Sequence, residues 1–580
     1  MNTSAMILGI FIAAVSLAVA KRTPQMQNKQ IPPGIRYLFW FLPFLAGGFH
    51  TYLTVFTAGI LLLSLLRTVF KKRQLKITCN LTTLTLLVIV LGYCVTPVWA
   101  ADKGMAPFGI IRYLPVLLLA LLLMQYPARQ KACFRELLPL CAAAMTVAGW
   151  ILWLVPGGKD FVVLNGRLSG FLQYPNTFAA FALTGLAVMG AKAQKTSCDR
   201  WICMVLISGV ILSGSRTGVL LLFFLPLAIA ALHKKVPLTV LFLLTAAAGL
   251  GAYLLTKNGT QITFLGRDIG SFFVRVLYYK DALPVIADHP FGLGYLGYRA
   301  LETTFQTSRY TVSFVHSGIL QLLLDIGWIP ALLFVTVILK NLFSPHTEPA
   351  DKLVLLMLSA HAAVDFDLQF FLFWAILLLC LDLESGKLCY LKISPPVGAA
   401  AAAALLLIFT WLGAGDFLYQ RGNHDAALKL TPFHTDALAS AMRETSDPEE
   451  LDHLADKILS LNPAHALAYS AKANAAFARG QIPEMMRYKE TAIRLTPYTL
   501  AEYCDYIEKL YTVLELCIRN ADQESAVYCF QKLLAVPQMM DAVAAGTDPL
   551  AYRTGNNSSL VLPDPYRYLI DELIKANPTY

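Results

Sequence analysis

A short polar break between two apolar runs contains the residue that most needs a chemical explanation. Residues 213–218 read Ser-Gly-Ser-Arg-Thr-Gly, and Arg216 is the one charged residue among them. An arginine at bilayer depth costs roughly 2.5–3.5 kcal/mol on insertion scales, so it needs a partner or a function. Its planar guanidinium can bind two phosphate oxygens at once. The alternative is an arginine that anchors the end of a membrane span. We call residues 213–218 the arginine break.

A histidine further along the chain could accept a proton. His316 follows a long polar segment and stands at the mouth of the next apolar run. A neutral imidazole near pH 7 can take the proton from an attacking hydroxyl, a step that contributes roughly 10²–10⁴-fold to a rate. The alternative is an interfacial histidine that caps a helix N-terminus. His289 precedes a proline in a turn, which favours a structural role.

A second group of titratable residues follows near the end of a late span. His361 and Asp365 are four residues apart and would share one face of a helix, whereas Asp367 would diverge from Asp365. We expect His361 and Asp365 to orient His316 or to supply the base themselves.

The composition is that of a polytopic membrane protein. The 580 residues are 57% hydrophobic and 14% charged, and the mean hydropathy is +0.57, above that of ordinary water-soluble proteins. Apolar runs near the roughly 20 residues that cross a bilayer recur between residues 5 and 414. The first run, residues 5–20, lacks a basic n-region, so we interpret it as a retained span.

Short basic loops predict the topology. Despite a formal net charge of +10, nucleic-acid binding is not indicated, because the basic residues lie mostly in short loops of the kind that face the cytoplasm. These loops are residues 21–36, 67–76, 129–135, 192–200 and 234–235. Residues 35–66 must then form a hairpin that breaks near Gly47 and Gly48. The pattern predicts about 14 spans with the N-terminus outside, or 12 or 13 if short runs are interfacial.

The same topology puts the remaining polar stretches on the outer side. They are residues 101–106, 156–170, 213–218, 256–313 and 365–369. We call residues 256–313 the outer segment; it contains Arg275 and leads into His316. A loop of this length is usually functional or disordered, and this one is too aromatic for disorder.

The composition changes after residue 414. We predict two domains: a multi-span membrane domain over residues 1–415 and a soluble helical domain over residues 416–580, which we call the tail. Leu-Asn-Pro at 461–463 recurs as Leu-Thr-Pro at 495–497. Two alanine-rich helices per 34 residues with a proline stop is the tetratricopeptide signature, and such repeats bind partners on a concave face. The alternative is a plain helical bundle with a chance spacing. The topology puts the tail outside the cytoplasm.

The eleven cysteines do not form a metal or redox motif. Eight of them, between Cys79 and Cys389, lie in or beside spans, where a thiol is a small apolar filler. The other three are Cys504, Cys517 and Cys529 in the tail, where a disulfide is left open.

Four stretches in order resemble a known family. They are Asn-Gly-Arg-Leu-Ser-Gly-Phe at 165–171 with Tyr-Pro-Asn at 174–176, the arginine break, Arg275 with Pro-Phe-Gly-Leu-Gly at 290–294, and His-Ser at 316–317 followed by Leu-Asp-Ile-Gly at 324–327. Over about residues 165–371 the chain resembles the bacterial O-antigen ligase and O-antigen polymerase superfamily of GT-C-type membrane glycosyltransferases. Two positions depart from the pattern: Ser317 stands where many members have asparagine, and Pro330 where they have glycine.

The resemblance implies an all-α polytopic fold and a metal-independent glycosyl transfer without a cofactor. It implies that Arg216 and Arg275, with Arg167 third, bind the pyrophosphate of a polyprenyl-linked oligosaccharide, and that His316 is the catalytic base. The other substrate-binding candidates are Asn176, Ser215, His361 and Asp365. Arginines that neutralise the departing pyrophosphate agree with this reading. Preorganised charge at the place where negative charge develops is typically the largest contribution to catalysis.

The expected setting is the outer face of a bacterial cytoplasmic membrane. The partners would be the lipid-linked donor, a glycan, lipid or protein acceptor, and a protein on the tail. The alternatives are a protein O-oligosaccharyltransferase of the same superfamily, a non-catalytic transporter or flippase of lipid-linked sugar, and a membrane-anchored scaffold. Transporters usually carry internal repeats and midplane charges, which the sequence does not display.

Overall fold

The computed structural model describes residues 3–21, 33–192, 194–232, 263–264, 267–268, 270–554 and 560–576. The basic residues expected at 22–32 and 234–235, the span expected after residue 235, and the beginning of the outer segment lie outside the described residues.

The described chain is almost entirely helical. In chain order the helices are α1 Thr3–Ala20, α2 Pro33–Phe41, α3 Thr51–Lys72, α4 Leu81–Val95, α5 Phe108–Leu123, α6 Ala128–Arg135, α7 Leu137–Leu154, α8 Lys159–Val162, α9 Pro175–Gly190, α10 Ser197–Leu212, α11 Arg216–Leu232, α12 Gly270–Asp288, α13 Gly297–Phe305, α14 Gly318–Ile326, α15 Trp328–Phe343, α16 Pro349–Ala362, α17 Phe371–Cys380, α18 Pro395–Gln420, α19 His424–Leu430, α20 Thr435–Glu444, α21 Pro448–Leu461, α22 Ala466–Ala478, α23 Ile482–Leu495, α24 Leu500–Arg519, α25 Gln523–Gly546 and α26 Asp564–Ala576.

Short 3₁₀ helices and three two-stranded sheets complete the secondary structure. The 3₁₀ helices are Leu42–Phe44, Ala46–Gly48, Thr96–Val98, Gly170–Leu172, Asp367–Gln369 and Pro549–Arg553. The strands are β1 Gln74–Cys79, β2 Val163–Leu164, β3 Arg167–Leu168, β4 Thr263–Phe264, β5 Arg267–Asp268 and β6 Lys387–Lys392. Strand β1 pairs antiparallel with β6, β2 with β3, and β4 with β5.

Several helices are long and apolar enough to cross a membrane. Four described stretches of at least 18 residues qualify by length and composition: Thr51–Lys72, Leu81–Val98, Gln130–Leu154 and Pro395–Gln420. Seven shorter helices are also apolar: Ser4–Ala20, Ile35–Phe44, Phe108–Leu123, Pro175–Gly190, Arg216–Leu232, Trp328–Phe343 and Phe371–Cys380. The predicted class, an all-α polytopic membrane protein, is confirmed. The number of spans stays a prediction.

The helices form two compact units. The first contains Met1–Val95, Phe108–Asp268 and His316–Phe417, and the second contains Thr96–Pro107, Ile269–Val315 and Leu418–Tyr580. The second unit therefore combines the tail with residues 269–315, which include most of the outer segment, and with residues 96–107, which follow α4 in the sequence. The predicted domain boundary near residue 415 stays a prediction.

Helix α9 is the centre of the first unit. It packs against α7, α10, α11 and α16, and nearly all of its side chains are buried. Small residues allow these close approaches: a Cβ added to Gly218 in α11 would lie 2.7 Å from the Cβ of Ala179. Helix α9 begins at Pro175, and proline is favoured at the first position of a helix. The residues just before Pro175 are therefore attached directly to this buried helix.

At the other end of these helices, charged and polar pairs join segments that are distant in sequence. Arg135 bonds to Asp351 and, at 2.5 Å, to Glu348. Strands β1 and β6 bring the sulfur atoms of Cys79 and Cys389 within 3.2 Å. All eleven cysteines are free thiols in the structure, including the three in the tail.

The tail is helical, and consecutive helices pack against one another. Leu-Thr-Pro at 430–432, Leu-Asn-Pro at 461–463 and Leu-Thr-Pro at 495–497 lie at the ends of α19, α21 and α23. The proline after each leucine cannot continue the helix, which explains why the helices end there. Helix α22 packs on α23, and α24 on α25. The tetratricopeptide assignment stays a prediction.

Glu302 in α13 makes the stability of the second unit depend on pH. The side chain is buried, and the Val312 N–H donates to it at 2.6 Å. Burial raises the pKa of Glu302 to about 8, although the Val312 hydrogen bond and the charge of Arg299 oppose this rise. The native state therefore holds this proton at pH values where the unfolded state has lost it. Stability from this group is complete below the unfolded pKa of 4.5 and is lost as the pH rises through about 8.

We predict that Glu302→Gln flattens this pH dependence. The amide stays uncharged and can still accept the Val312 hydrogen bond. In detergent, the full-length variant should unfold at a higher temperature than the wild type above pH 8, and at a similar temperature near pH 5. Thermal midpoints across pH 5–9 measure this. Parallel curves for the two proteins would contradict the assignment.

Candidate functional site

The arginine break is a compact turn between two helices. Helix α10 ends at Leu212 and α11 begins at Arg216. Buried Ser213 accepts a hydrogen bond from the Ser215 N–H at 3.1 Å, and Ser215 accepts one from the Gly218 N–H at 3.1 Å. Gly214 has a φ of 57°, which favours glycine. The half-buried Arg216 therefore stands at the positive end of α11, where an anion is favoured.

Arg167 joins the arginine break to the start of α9. It lies on β3, next to the turn between β2 and β3. Its Nε donates to the Ser213 carbonyl at 2.8 Å, and a terminal nitrogen donates to the Asn176 Oδ1 at 2.5 Å. At least two of its five donor hydrogens are therefore bonded to other residues of the protein. This arrangement favours Arg167 as a residue that orients the turn.

Asp365 is the centre of the polar cluster. Its carboxylate is completely buried and accepts hydrogen bonds from Asn176 Nδ2 at 2.7 Å and from the Phe366 N–H at 2.9 Å. The Tyr174 hydroxyl lies 3.4 Å from the same carboxylate. A buried carboxylate without such donors would be strongly destabilising. Asp365 therefore connects the segment before α17 to the start of α9.

His316 lies against Asp365. Its Nδ1 is 3.4 Å from the Asp365 Oδ1, and 18% of its side chain is exposed. The ring packs edge-on against Phe366, with 5.0 Å between centroids. In the tautomer that donates the Nδ1 hydrogen to Asp365, the Nε2 lone pair can accept a proton. The arrangement can therefore abstract a proton and stabilise the imidazolium ion that forms.

His316 has a left-handed backbone conformation, which is uncommon for residues other than glycine. His316 has a φ of 53°, a left-handed conformation that costs on the order of 1–3 kcal/mol at such sites. The next residue, Ser317, caps α14 and accepts from the Leu320 N–H at 3.3 Å. Serine is one of the residue types preferred at the N-cap of a helix, so the Ser317 side chain fixes the start of α14 directly after His316.

The expectation that His361 and Asp365 share a helical face is wrong. Helix α16 ends at Ala362, so His361 and Asp365 do not belong to one helix. His361 Nδ1 instead lies 2.5 Å from Asp367 Oδ2, and both side chains are completely buried. Thr177 of α9 donates to Asp367 at 3.1 Å. His361 and Asp367 therefore form a buried pair that links the end of α16 to the short helix Asp367–Gln369, which follows Asp365.

Arg112 supports the site and was missed by the sequence analysis. It is buried in α5 and donates to the Phe49 carbonyl at 2.7 Å and to the Gln369 carbonyl. It thereby joins the hairpin before α3 to the segment that contains Asp365. An arginine inside an apolar run was the available signal, and the reasoning applied to Arg216 also applies to Arg112.

Two further residues of the family-like stretches have the following surroundings. Asp325 is buried in α14 and accepts from the Tyr93 hydroxyl at 2.9 Å and from Gln321 at 2.8 Å. Arg275 belongs to the second unit, in α12, where it is half-buried near Tyr278.

Metal ligands are not grouped in the part of the chain that the structure describes. No three histidine, cysteine, aspartate or glutamate side chains there are arranged to hold a metal ion. The cluster around Asp365 contains guanidinium, amide, phenol and imidazole groups, which suit hydrogen bonding to an anion or a hydroxyl.

The comparison with protein families agrees with the predicted resemblance. Residues 201–335 match the family model described as O-Antigen ligase. No curated protein and no solved structure matches the chain at a significant level. Over residues 201–335, which include Arg216, Arg275 and His316, the chain is therefore similar to the O-antigen ligase family.

Proposed function

We propose that this protein is a membrane glycosyltransferase that polymerises or ligates a polyprenyl-pyrophosphate-linked glycan at the outer face of the cytoplasmic membrane. The observation that carries this proposal is one continuous set of hydrogen bonds. It joins the arginine break to Arg167, Asn176, Asp365 and His316. The cluster thus connects an anion-binding turn to a proton acceptor, and glycosyl transfer from a pyrophosphate requires both.

The reaction would be a direct displacement. An acceptor hydroxyl attacks the anomeric carbon of the donor, and the bond from that carbon to the pyrophosphate oxygen breaks. The polyprenyl pyrophosphate leaves with the bonding electrons, and His316 takes the hydroxyl proton. Asp365 stabilises the resulting imidazolium ion, as a buried carboxylate does for other catalytic histidines. Such a displacement inverts the configuration of the anomeric carbon.

Arg216 would neutralise the charge that develops on the leaving group. Its guanidinium is always protonated and can bind two phosphate oxygens at once, and the N-terminus of α11 adds a favourable dipole. The assignment of Arg275 as a second phosphate ligand rests on the family resemblance alone. Ser215 supports the turn through its bond to the Gly218 N–H, so we assign it the role of shaping the arginine break.

We predict that His316→Ala abolishes polymer formation and that Asp365 acts through His316. In a deletion strain, His316→Ala should reduce high-molecular-weight surface polysaccharide by about 100-fold or more, because base catalysis contributes roughly 10²–10⁴-fold. Asp365→Asn should reduce it in the wild-type background but not further in the His316→Ala background. Exposed His346, at the opposite end of the helices, supplies the control His346→Ala.

Membrane insertion of each variant is verified by its amount in the membrane fraction. Normal polysaccharide in His316→Ala would contradict the role of the base. Independent losses in the double variant would contradict a shared role with Asp365.

We predict a graded effect at Arg216. Arg216→Ala should lower polysaccharide as severely as His316→Ala, whereas Arg216→Lys should retain part of it, because lysine keeps the charge but loses the planar fork. Arg200→Ala, at the exposed start of the same helix pair, is the matched control. Equal activity of the alanine and lysine variants would contradict bidentate phosphate binding, and wild-type activity of the alanine variant would exclude Arg216 from the site.

A further inference from the structure

The outer segment and the tail share one compact unit although more than 100 residues of sequence separate them. Helix α12, which carries Arg275, packs against the short helix Pro549–Arg553 of the tail. This packing makes the position of α12 depend on a distant part of the chain.

Asp548 contacts the outer segment through both its side chain and its backbone. Its carboxylate is 5% exposed and forms an ion pair with Lys280 of α12. Its backbone N–H donates to the Thr307 carbonyl at 2.9 Å, and its Oδ1 accepts from the Leu550 N–H at 2.8 Å. Burial alone would raise the pKa of Asp548, but the hydrogen bonds from Lys280 and Leu550 hold it below its ordinary range. Asp548 is therefore a charged partner of Lys280 at neutral pH.

Asp281, the residue after Lys280 in α12, connects this helix to Thr307 and Tyr310 within the outer segment. Asp281 is buried, and its carboxylate accepts two hydrogen bonds from Thr307. The Thr307 N–H donates at 2.9 Å and the Thr307 hydroxyl at 2.7 Å. It also accepts from the Tyr310 hydroxyl at 2.7 Å. Thr307 therefore bonds to α12 through its N–H and hydroxyl and to the tail through its carbonyl.

Arg275 lies on the same helix as these contacts. Tyr278, three residues after it, packs against Tyr310 with 4.6 Å between ring centroids. Burial raises the pKa of Tyr278 to about 12, and the nearby charge of Arg275 opposes this rise. Tyr278 is thus packed on Tyr310, and Tyr310 bonds to the same carboxylate, Asp281, as Thr307, which bonds to the tail.

Two more junctions join the tail to other parts of the second unit. Arg299 of α13 bonds to both carboxylate oxygens of Asp436, at 2.8 and 3.0 Å. In the stretch beside α4, Asp102 accepts from the Thr435 hydroxyl at 2.7 Å. A Cβ added to Gly104 would lie 2.2 Å from the Phe433 carbonyl oxygen, so this contact has no room for a side chain. The tail therefore contacts the outer segment and residues 96–107 at several places.

We propose that the tail is a brace that holds the outer segment in its folded position, with the pair of Lys280 and Asp548 as the contact that positions Arg275. The tail is then a working part of the protein and not an appended binding module. The chemical role of Arg275 rests on the proposed function, whereas the brace itself does not. Lys280 and Asp548 are positioning residues, since they act through α12.

Charge reversal at this pair tests the brace in the full-length protein in detergent. Lys280→Asp and Asp548→Lys should each increase amide hydrogen exchange over residues 270–310 by about tenfold, because each variant places like charges at the contact. The double variant Lys280→Asp with Asp548→Lys should restore most of the protection. Polysaccharide formation in the deletion strain should fall in the single variants and recover in the double variant.

Two controls separate the brace from general unfolding. Lys575→Glu reverses a lysine of another tail ion pair, with Glu572 at 2.9 Å, and should leave exchange over residues 270–310 unchanged. Asp548→Asn keeps a side chain that can cap Leu550 but removes the charge, and it should raise exchange over residues 270–310 while exchange over residues 448–478 of the tail stays unchanged.

Two results would overturn the brace: unchanged exchange over residues 270–310 in all variants of the pair, or a double variant no better protected than the single ones. If exchange changes in the variants of the Lys280–Asp548 pair but Arg216→Ala makes wild-type amounts of polysaccharide, the proposed function is rejected and the brace is kept. If exchange is unchanged in the variants of the Lys280–Asp548 pair but polysaccharide is lost in Arg216→Ala, the brace is rejected and the proposed function is kept.

Discussion

The buried carboxylate of Asp365 is the constraint on which the arrangement of the candidate site depends. A carboxylate removed from water must be surrounded by donors, and its donors come from the start of α9 and from the backbone of Phe366, with His316 alongside. Satisfying this one group brings three chain segments together. The imidazole of His316 lies between this carboxylate and the ring of Phe366. The carboxylate that needs these donors for stability is thus the one to which we assign the support of His316.

Arginine side chains connect the rest of the site through backbone carbonyls. Arg167 reaches the carbonyl of Ser213, and Arg112 reaches those of Phe49 and Gln369. In apolar surroundings an unpaired carbonyl is costly, and a charged donor is the strongest partner for it. These bonds hold loop segments to rigid helices, which is the support that a preorganised site requires. Arg216, at the start of α11, is the arginine that we assign to the substrate.

Much of the fold and part of the site could be predicted from the sequence. Apolar runs and charge placement predicted an all-α polytopic protein, and the order of the basic loops predicted a common side for Arg167, Asp365 and His316. Asn176 was a candidate through the family resemblance alone. The partner of His361 could not be predicted, because it depends on where α16 ends, and that end is decided by tertiary packing. The contacts between Asp548 and the outer segment join residues more than 200 positions apart, and a single sequence carries no signal for such pairs. The importance of Arg112 could have been predicted, since a charge in an apolar run needs a partner wherever it lies.

The anomeric configuration of the new glycosidic bond tests the central claim most directly, because a single displacement with His316 as base can only invert it. The measurement is nuclear magnetic resonance of the product made by the purified protein in vesicles from a lipid-linked donor of known configuration. The account predicts a product with the opposite configuration to the donor, formed together with free polyprenyl pyrophosphate. A product that retains the donor configuration would contradict it.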